Sequence, residues 1–244
     1  MIKSLSIIFP VFNEELRLKS SFNHIKSFIK KKRDFKTEII FANDGSTDNS
    51  LNLINEFINS SKQQKKIKFK IVNLKRNLGK GGALKLSVIK ADYQWVLTTD
   101  IDMSVSLFQV TDWLKKKLIK NNQFVYFGSR THKKSLVKKK FLRNILGNIM
   151  RFIASTLLNI KIKDTQCGYK LYKKNVAKMV FSKLANYGFD HDLEIVLILH
   201  SKKISINELP VKWTHKSNSR LNILLDPIKM LIGIMKIRFR FFGF

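Results

Sequence analysis

The chain opens on an apolar run, Leu5-Ser6-Ile7-Ile8-Phe9, and turns polar at Val11-Phe12-Asn13-Glu14-Glu15. Such a run reads as a buried strand, stopped by Pro10, with a loop leading into an amphipathic helix that continues through about Phe28. The same alternation then repeats. Glu38-Ile39-Ile40-Phe41-Ala42 is a second strand, followed by the loop Asn43-Asp44-Gly45-Ser46-Thr47-Asp48 and a helix carrying Leu51, Ile54 and Phe57. Gly45 suits a tight turn, and Ser46 or Asp48 suits the helix cap. Past a Lys/Gln-rich linker at Lys62–Lys66, Phe69-Lys70-Ile71-Val72 is a third strand. It leads to the turn Asn77-Leu78-Gly79-Lys80-Gly81-Gly82-Ala83 and a helix with Leu84, Val88 and Ile89 inward. Trp95-Val96-Leu97 then runs into Thr98-Thr99-Asp100-Ile101-Asp102, and Phe124-Val125-Tyr126-Phe127 into Gly128-Ser129-Arg130. Repeated strand–helix alternation predicts an α/β domain with a mostly parallel sheet flanked by helices, right-handed crossovers and the loops gathered at one edge. Ligands of such sheets lie just beyond the carboxyl ends of the strands.

From Lys133 the pattern changes. A basic stretch to Arg143 precedes a helical stripe of Phe141, Leu142, Ile145, Leu146, Ile149, Met150, Ile153, Leu157 and Leu158, with Arg143, Asn144, Asn148, Arg151 and Ser155 opposite. Such a helix either packs on the core or lies in a lipid interface with its basic residues over anionic head groups. The tail from Ile223 to Phe244 repeats the theme, interleaving Phe239, Phe241, Phe242 and Phe244 with Arg238 and Arg240. Asp226, Pro227, Lys229 and Lys236 interrupt it as well, whereas a membrane span wants about 20 mostly apolar residues. No span is expected, nor a signal peptide at Met1-Ile2-Lys3-Ser4. Between the two segments, Asp164-Thr165-Gln166-Cys167-Gly168-Tyr169-Lys170 reads as a polar turn. Tyr187-Gly188-Phe189-Asp190-His191-Asp192-Leu193-Glu194 opens a helix that runs through Leu199, with Asp190 and Glu194 on one face and Asp192 turned from it. Ile204–Val211 alternates as a late edge strand, to which Pro210 is suited.

Length and charge narrow the picture. A chain of 244 residues is enough for one α/β domain with an appendage. Basic residues number 47 against 17 acidic ones, a net charge of +30. That field attracts polyanions: nucleic acid, an anionic membrane surface or nucleotide phosphates. A solvated, lysine-rich surface accounts for part of it. No nucleic-acid recognition motif accompanies the charge, so a basic nucleic-acid-binding module stands only as the non-enzyme alternative. The single cysteine, Cys167, excludes an intramolecular disulfide and a cysteine-based metal site, and fits a reducing compartment.

The candidate chemistry sits at Asp100 and Asp102. With Ile101 between them, they can meet one divalent ion only where the strand gives way to a turn, and Mg²⁺ or Mn²⁺ suits such oxygen ligands while leaving positions for substrate phosphate. The Gly79–Gly82 turn is neither a P-loop nor a dinucleotide fingerprint, because its spacing fits neither. It can still let backbone approach a phosphate. Arg130 can hold a phosphate or carboxylate through its fork of donors, or sit in a salt bridge. His191, His200 and His215 have no metal-ligand spacing.

In sequence, Phe9-Pro10-Val11-Phe12-Asn13-Glu14, Asn43-Asp44-Gly45-Ser46-Thr47-Asp48, Asn77–Ala83 and Thr99-Asp100-Ile101-Asp102 resemble the motifs of a family 2 glycosyltransferase of the GT-A fold. The likeness covers roughly residues 5 to 215. Gly128-Ser129-Arg130 and Asp164–Tyr172 resemble the branch that makes polyprenyl-phosphate sugars, in particular dolichyl-phosphate β-glucosyltransferases. Ile101 departs from the Asp-Ala-Asp usual in that branch. The resemblance implies a GT-A domain over 1–215, with an amphipathic insert at about 133–160, and a basic interfacial segment over 216–244. It implies inverting transfer of glucose from UDP-glucose to a polyprenyl phosphate. Mannose from GDP-mannose, or a glycan acceptor, is the alternative. It further implies that Pro10, Phe12, Glu14 and Asp44 frame the base and ribose, with Lys80 and Gly81 nearby. Asp100 and Asp102 would hold Mg²⁺ or Mn²⁺ on the diphosphate, Arg130 and Arg220 would meet phosphates, and Asp192 would face the acceptor as general base or as a positioning group, with Glu194 behind it. The expected setting is peripheral on the cytoplasmic face of a membrane, docked directly or through a membrane-protein partner.

Overall fold

The computed structural model describes residues 2–31, 34–61, 67–138, 152–188, 190–216 and 225–243. Parts of four expectations, the Lys62–Lys66 linker, most of the amphipathic stripe at 139–151, Phe189 and Arg220, lie outside them.

The first half of the chain alternates as its pattern predicts: β1 (Ser4–Val11), α1 (Glu15–Lys30), β2 (Lys36–Asn43), α2 (Ser50–Ser61), β3 (Ile67–Asn73), α3 (Lys80–Ile89) and β4 (Trp95–Thr98). Then come α4 (Gln109–Lys115), β5 (Val125–Ser129), β6 (Leu136–Lys138), a helical segment α5 at 152–157, β7 (Lys170–Lys173), α6 (Lys174–Lys183) and α7 (His191–Ser201). The chain finishes with β8 (Asn207–Pro210), β9 (Lys212–Thr214) and α8 (Leu225–Phe242).

Seven strands form one sheet in the order β3-β2-β1-β4-β7-β5-β8, and β6 pairs with β9 apart from it. The sheet is mostly parallel, because only β7 runs against its neighbours β4 and β5. From β1 the chain moves outward to β3, then returns to the other side of β1 with β4, where Ile8 lies beside Thr98. This reversal opens a crevice at the carboxyl ends of β1 and β4, the place where open α/β sheets bind ligands. It sets the loop after β1 next to the Asp100–Asp102 turn.

Side chains alternate between two cores, as strand geometry requires. Ile8, Ile40, Val96, Phe127 and Tyr172 face α3, α6, α7 and α8 through Ala83, Val180, Leu193 and Ile234. Ile7, Phe9, Ile39, Phe41 and Leu97 face α1, α2 and α4 through Phe22, Phe57 and Trp113. From His191 to Leu199 helix α7 is buried on every side, which explains its unbroken apolar run.

Four expectations change. Pro10 does not stop β1, which continues to Val11 beside Asn43. Ile8 gives its carbonyl to the Thr99 amide, so Pro10, two residues on, faces the same side beyond the end of β4, where a missing N–H costs nothing. Ile89 is 43% exposed rather than inward, while Leu84 and Val88 are buried. The polar turn at Asp164–Lys170 leads straight into β7, and a helix follows at Lys174–Lys183, neither of which the pattern revealed. The late edge strand is confined to Asn207–Pro210, with Pro210 at its end.

Candidate active site

One end of the crevice is two loops tied to each other. Asn13, at φ 52, donates its amide to Ser46 Oγ at 2.9 Å, and its side-chain oxygen accepts the Thr47 amide at 2.7 Å. Asp48 and Glu15 cap each other's helices: the Glu15 amide reaches Asp48 Oδ2 at 3.2 Å and the Asn49 amide reaches Glu15 Oε2 at 3.0 Å. Asp48 also accepts the Ser50 amide at 3.0 Å, so it is the α2 cap, while Ser46 serves the neighbouring loop. Glu14 is engaged by Arg17 at 3.2 Å, and Phe12 is 37% exposed at the loop surface. Pro10 lies within β1 beside Ala42.

Asp44 is buried just past β2 and accepts the amides of Leu78 at 2.8 Å and Gly79 at 2.9 Å. Burial outweighs these two bonds and raises its pKa from the ordinary value. Asp44 therefore fixes the turn that starts α3. At Gly79, φ is +92°, a conformation that side-chain-bearing residues rarely adopt.

Gly81, expected near the nucleotide, lies where α3 meets α7. Its amide bonds the Tyr187 carbonyl at 2.9 Å, and a Cβ there would stand 2.7 Å from His191 Cβ. Gly81 is the contact at which α3 and α7 pack together. Lys80 instead turns its ammonium to the Asp100 carboxylate at 2.6 Å.

Strand β4 gives way to a turn after Thr98, which permits both acids at one edge as required. Ile101 is buried there and gives its carbonyl to Ser21 Oγ. The Asp100 side chain keeps 41% exposure, and a Cβ at residue 168 would stand 2.3 Å from its Oδ2, so Gly168 leaves room for the carboxylate in this position. Asp102 accepts the Ser104 amide at 2.8 Å and hydroxyl at 2.9 Å. Burial works against the Asp100 charge, but the Lys80 ammonium outweighs it and lowers the pKa. For Asp102, burial and the neighbouring Asp100 together raise it. Two carboxylates in mutual repulsion at one partly open turn fit a hard divalent cation. Among the described residues no group of three or more His, Cys, Asp and Glu could hold a metal by itself. A cation here would take its remaining ligands from donor phosphate and water.

The opposite wall is built from ion pairs. Arg130 lays its fork on the buried Asp164, with Nε 2.8 Å from Oδ2 and Nη2 2.7 Å from Oδ1, and stacks over Trp213 at 5.9 Å. Of the two roles open to it, a phosphate contact or a salt bridge, the structure shows the salt bridge. Asp192 is buried and 2.5 Å from Lys170 Nζ. Burial opposes its charge, yet the His191 ring and the Lys170 ammonium hold its pKa well below the carboxylate range. Glu194 faces another way: it accepts the Ala185 and Asn186 amides and the Arg240 guanidinium from α8. A cavity of about 380 Å³ lies beside this wall, lined in part by Thr131, Ala154, Ile160, Lys163, Thr165 and Leu193.

The structure thus brings Lys80, Asp100 and Asp102 together with the Asp44-supported turn, and places Asp192 behind Lys170. Sequence reasoning missed Lys170 and Asp164. A lysine flanked by Tyr169, Leu171 and Tyr172 in a strand was the available signal.

Fold and site together define a glycosyltransferase of the GT-A type. Solved structures of glucosyl-3-phosphoglycerate synthase from Mycobacterium tuberculosis share the fold. One, in complex with Mg²⁺ and UDP, has a TM-score of 0.67 at 12% identity over 96% of this chain and 79% of that one. Another, with Mn²⁺, UDP-glucose and phosphoglyceric acid, has a TM-score of 0.66 at 14% identity over 97% and 80%. The chain belongs to glycosyltransferase family 2, whose sequence model matches residues 6–181. Its relatives include a dolichyl-phosphate β-glucosyltransferase of Dictyostelium discoideum, 34% identical over 97% of this chain and 74% of that protein. The enzyme of that name from Homo sapiens is 30% identical over 98% and 76%. Family membership carries the enzyme reading over that of a nucleic-acid-binding module.

Proposed function

We propose that this enzyme transfers glucose from UDP-glucose to a polyprenyl phosphate such as dolichyl phosphate, with inversion at the sugar carbon. The observation that carries the reading is the near full-length likeness to dolichyl-phosphate β-glucosyltransferases, joined to the Asp100/Asp102 edge beside Lys80.

In this reading Pro10, Phe12, Glu14 and the Asp44-supported turn frame the uridine. Asp100 and Asp102 hold Mg²⁺ or Mn²⁺, which when bound offsets negative charge on the diphosphate. Lys80, facing Asp100, supplies a mobile positive charge at the same place, suited to charge that builds on departing UDP. Asp192 faces the acceptor. Arg130, through Asp164, braces the acceptor wall, and Arg220 is a further phosphate contact.

The acceptor lies at a membrane surface, and α8 is the segment suited to rest on it. Met230, Ile234 and Ile237 pack inward, while Leu231, Met235, Phe239 and Phe242 form an exposed stripe interleaved with Lys236, Arg238 and Arg240. Among the described residues no helix is long and apolar enough to cross a membrane. The enzyme then works peripherally on the cytoplasmic face, on its own or with a membrane-protein partner.

The test is to incubate purified protein with labelled UDP-glucose or GDP-mannose and polyprenyl phosphate, with and without EDTA. Lipid-linked glucose formed from UDP-glucose, and lost with EDTA, is expected. Mannose transfer in its place overturns the donor assignment.

A further inference from the structure

Lys170 and Asp192 form a buried ion pair that the donor side does not use. Lys170 enters on β7, whose register sets it beside Thr98 of β4 and Phe127 of β5. Its ammonium lies 5.0 Å above the Phe127 ring and 2.5 Å from Asp192 Oδ1, with the two side chains only 2% and 8% exposed. His191 Nε2 lies 3.1 Å from the same oxygen, off the hydrogen-bond direction, while Nδ1 is held by the Gly188 carbonyl at 2.7 Å. The other charged or titratable groups facing Asp192 are Lys80 of α3, Asp100 after β4 and Tyr172 of β7. Asp190 and Glu194 flank it on its own helix.

A general base must release its proton near working pH and keep an oxygen free for the acceptor. Asp192 is poorly suited to that task, because Oδ1 is committed to a buried ammonium that holds the carboxylate in its charged form. A hydroxyl acceptor has a proton to lose and needs such a base. A phosphate monoester does not, since its second ionisation lies near pH 6. Its oxygen can bond to the sugar carbon as the bond from that carbon to the UDP oxygen breaks. The electron pair leaves with UDP, and no proton moves at the acceptor. Asp192 in turn compensates the buried ammonium, so that it cannot trap the incoming anion.

We propose that Lys170 is a positioning residue that locks Asp192 as a fixed anion, so that the pair reserves the site for an acceptor oxygen already ionised, a phosphate monoester, over a hydroxyl. This rests on the transferase reading above.

The test compares wild type, Lys170→Met and Lys170→Arg on polyprenyl phosphate and on polyprenol, alongside the ¹³C carboxyl resonance of Asp192, assigned with Asp192→Asn. Wild type is expected to favour the phosphate by about 100-fold or more. In Lys170→Met kcat falls about 100-fold while KM for UDP-glucose stays within about twofold, and Lys170→Arg recovers most of the rate. The Asp192 resonance stays flat from about pH 4 to about pH 8 in wild type and titrates in Lys170→Met. Equal use of polyprenol by wild type, or a flat resonance in both proteins, overturns the proposal. Should Lys170→Met fail to fold, Lys170→Met/Asp192→Asn replaces the pair by neutral groups; a wild-type kcat in that protein also overturns it. Should wild type transfer sugar to neither acceptor, the transferase reading fails, and the Asp192 resonance still decides whether Lys170 locks the carboxylate.

Discussion

The two walls of the crevice are built by different means. On the wall proposed to face the donor, side chains serve backbone amides across short loops: Asp44 holds the turn before α3, and Asn13, Ser46 and Asp48 tie the loops after β1 and β2 together. On the wall proposed to face the acceptor, charges meet charges: Arg130 with Asp164 and Lys170 with Asp192. The first kind of wall is pre-shaped and neutralises little, which suits a nucleoside read by shape and hydrogen bonds. The second keeps fixed charges in low dielectric, where each partner is costly without the other.

That contrast can be broken at chosen points. The largest effect is expected from Asp164→Ala, which strands Arg130 by removing the carboxylate that accepts its guanidinium N–H groups. Urea denaturation should show a loss of about 3–5 kcal/mol, as for other broken buried pairs. Next is Asp100→Ala, which removes the acid facing Lys80 at the diphosphate. Steady-state kinetics should show a fall in kcat of about 100- to 1,000-fold, roughly 3 kcal/mol of barrier, with stability little changed. Asp192→Asn should cost less in kcat than Asp100→Ala, since an ionised acceptor needs no proton removed.

On the donor wall Asp44→Ala leaves the Leu78 and Gly79 amides without their acceptor and should cost about 1–3 kcal/mol. Calorimetry should find weakened UDP binding as well, because the turn carrying Lys80 loses its anchor. The smallest effect concerns pH. Metal ligands must be deprotonated, and burial with the neighbouring Asp100 raises the Asp102 pKa, so Mn²⁺ affinity should fall on acidification before the ordinary carboxylate range is reached. Electron paramagnetic resonance titration from about pH 7 down to about pH 4 should show the loss setting in above the ordinary carboxylate range. Asp192, held low by His191 and Lys170, should keep its charge over that span.

The same contrast explains what the sequence disclosed. The donor wall is local: each loop follows its own strand, so apolar runs ending in Asn13, Asp44 and Asp100 revealed both the sheet edge and its acids. The parallel sheet was legible for the same reason, through β1 to β5. The acceptor wall was not, because its pairs join positions far apart in the chain, and no periodicity links Lys170 with Asp192 or Arg130 with Asp164. Strand β7 was hidden by its brevity and by the lysines at both ends, Lys170 and Lys173, which read as a polar turn. The packing of Gly81 on His191 was not legible either, because a helix-packing glycine and a phosphate-binding glycine look alike until the partner is known.

The account stands on a cation held by Asp100 and Asp102 against the donor diphosphate. Calorimetric titration of UDP-glucose into the wild-type protein, with Mn²⁺ and then with EDTA, measures this directly. Binding at least about tenfold tighter with Mn²⁺, and lost as an advantage in Asp100→Asn/Asp102→Asn, is the expected result. Identical affinity with and without the metal would contradict it.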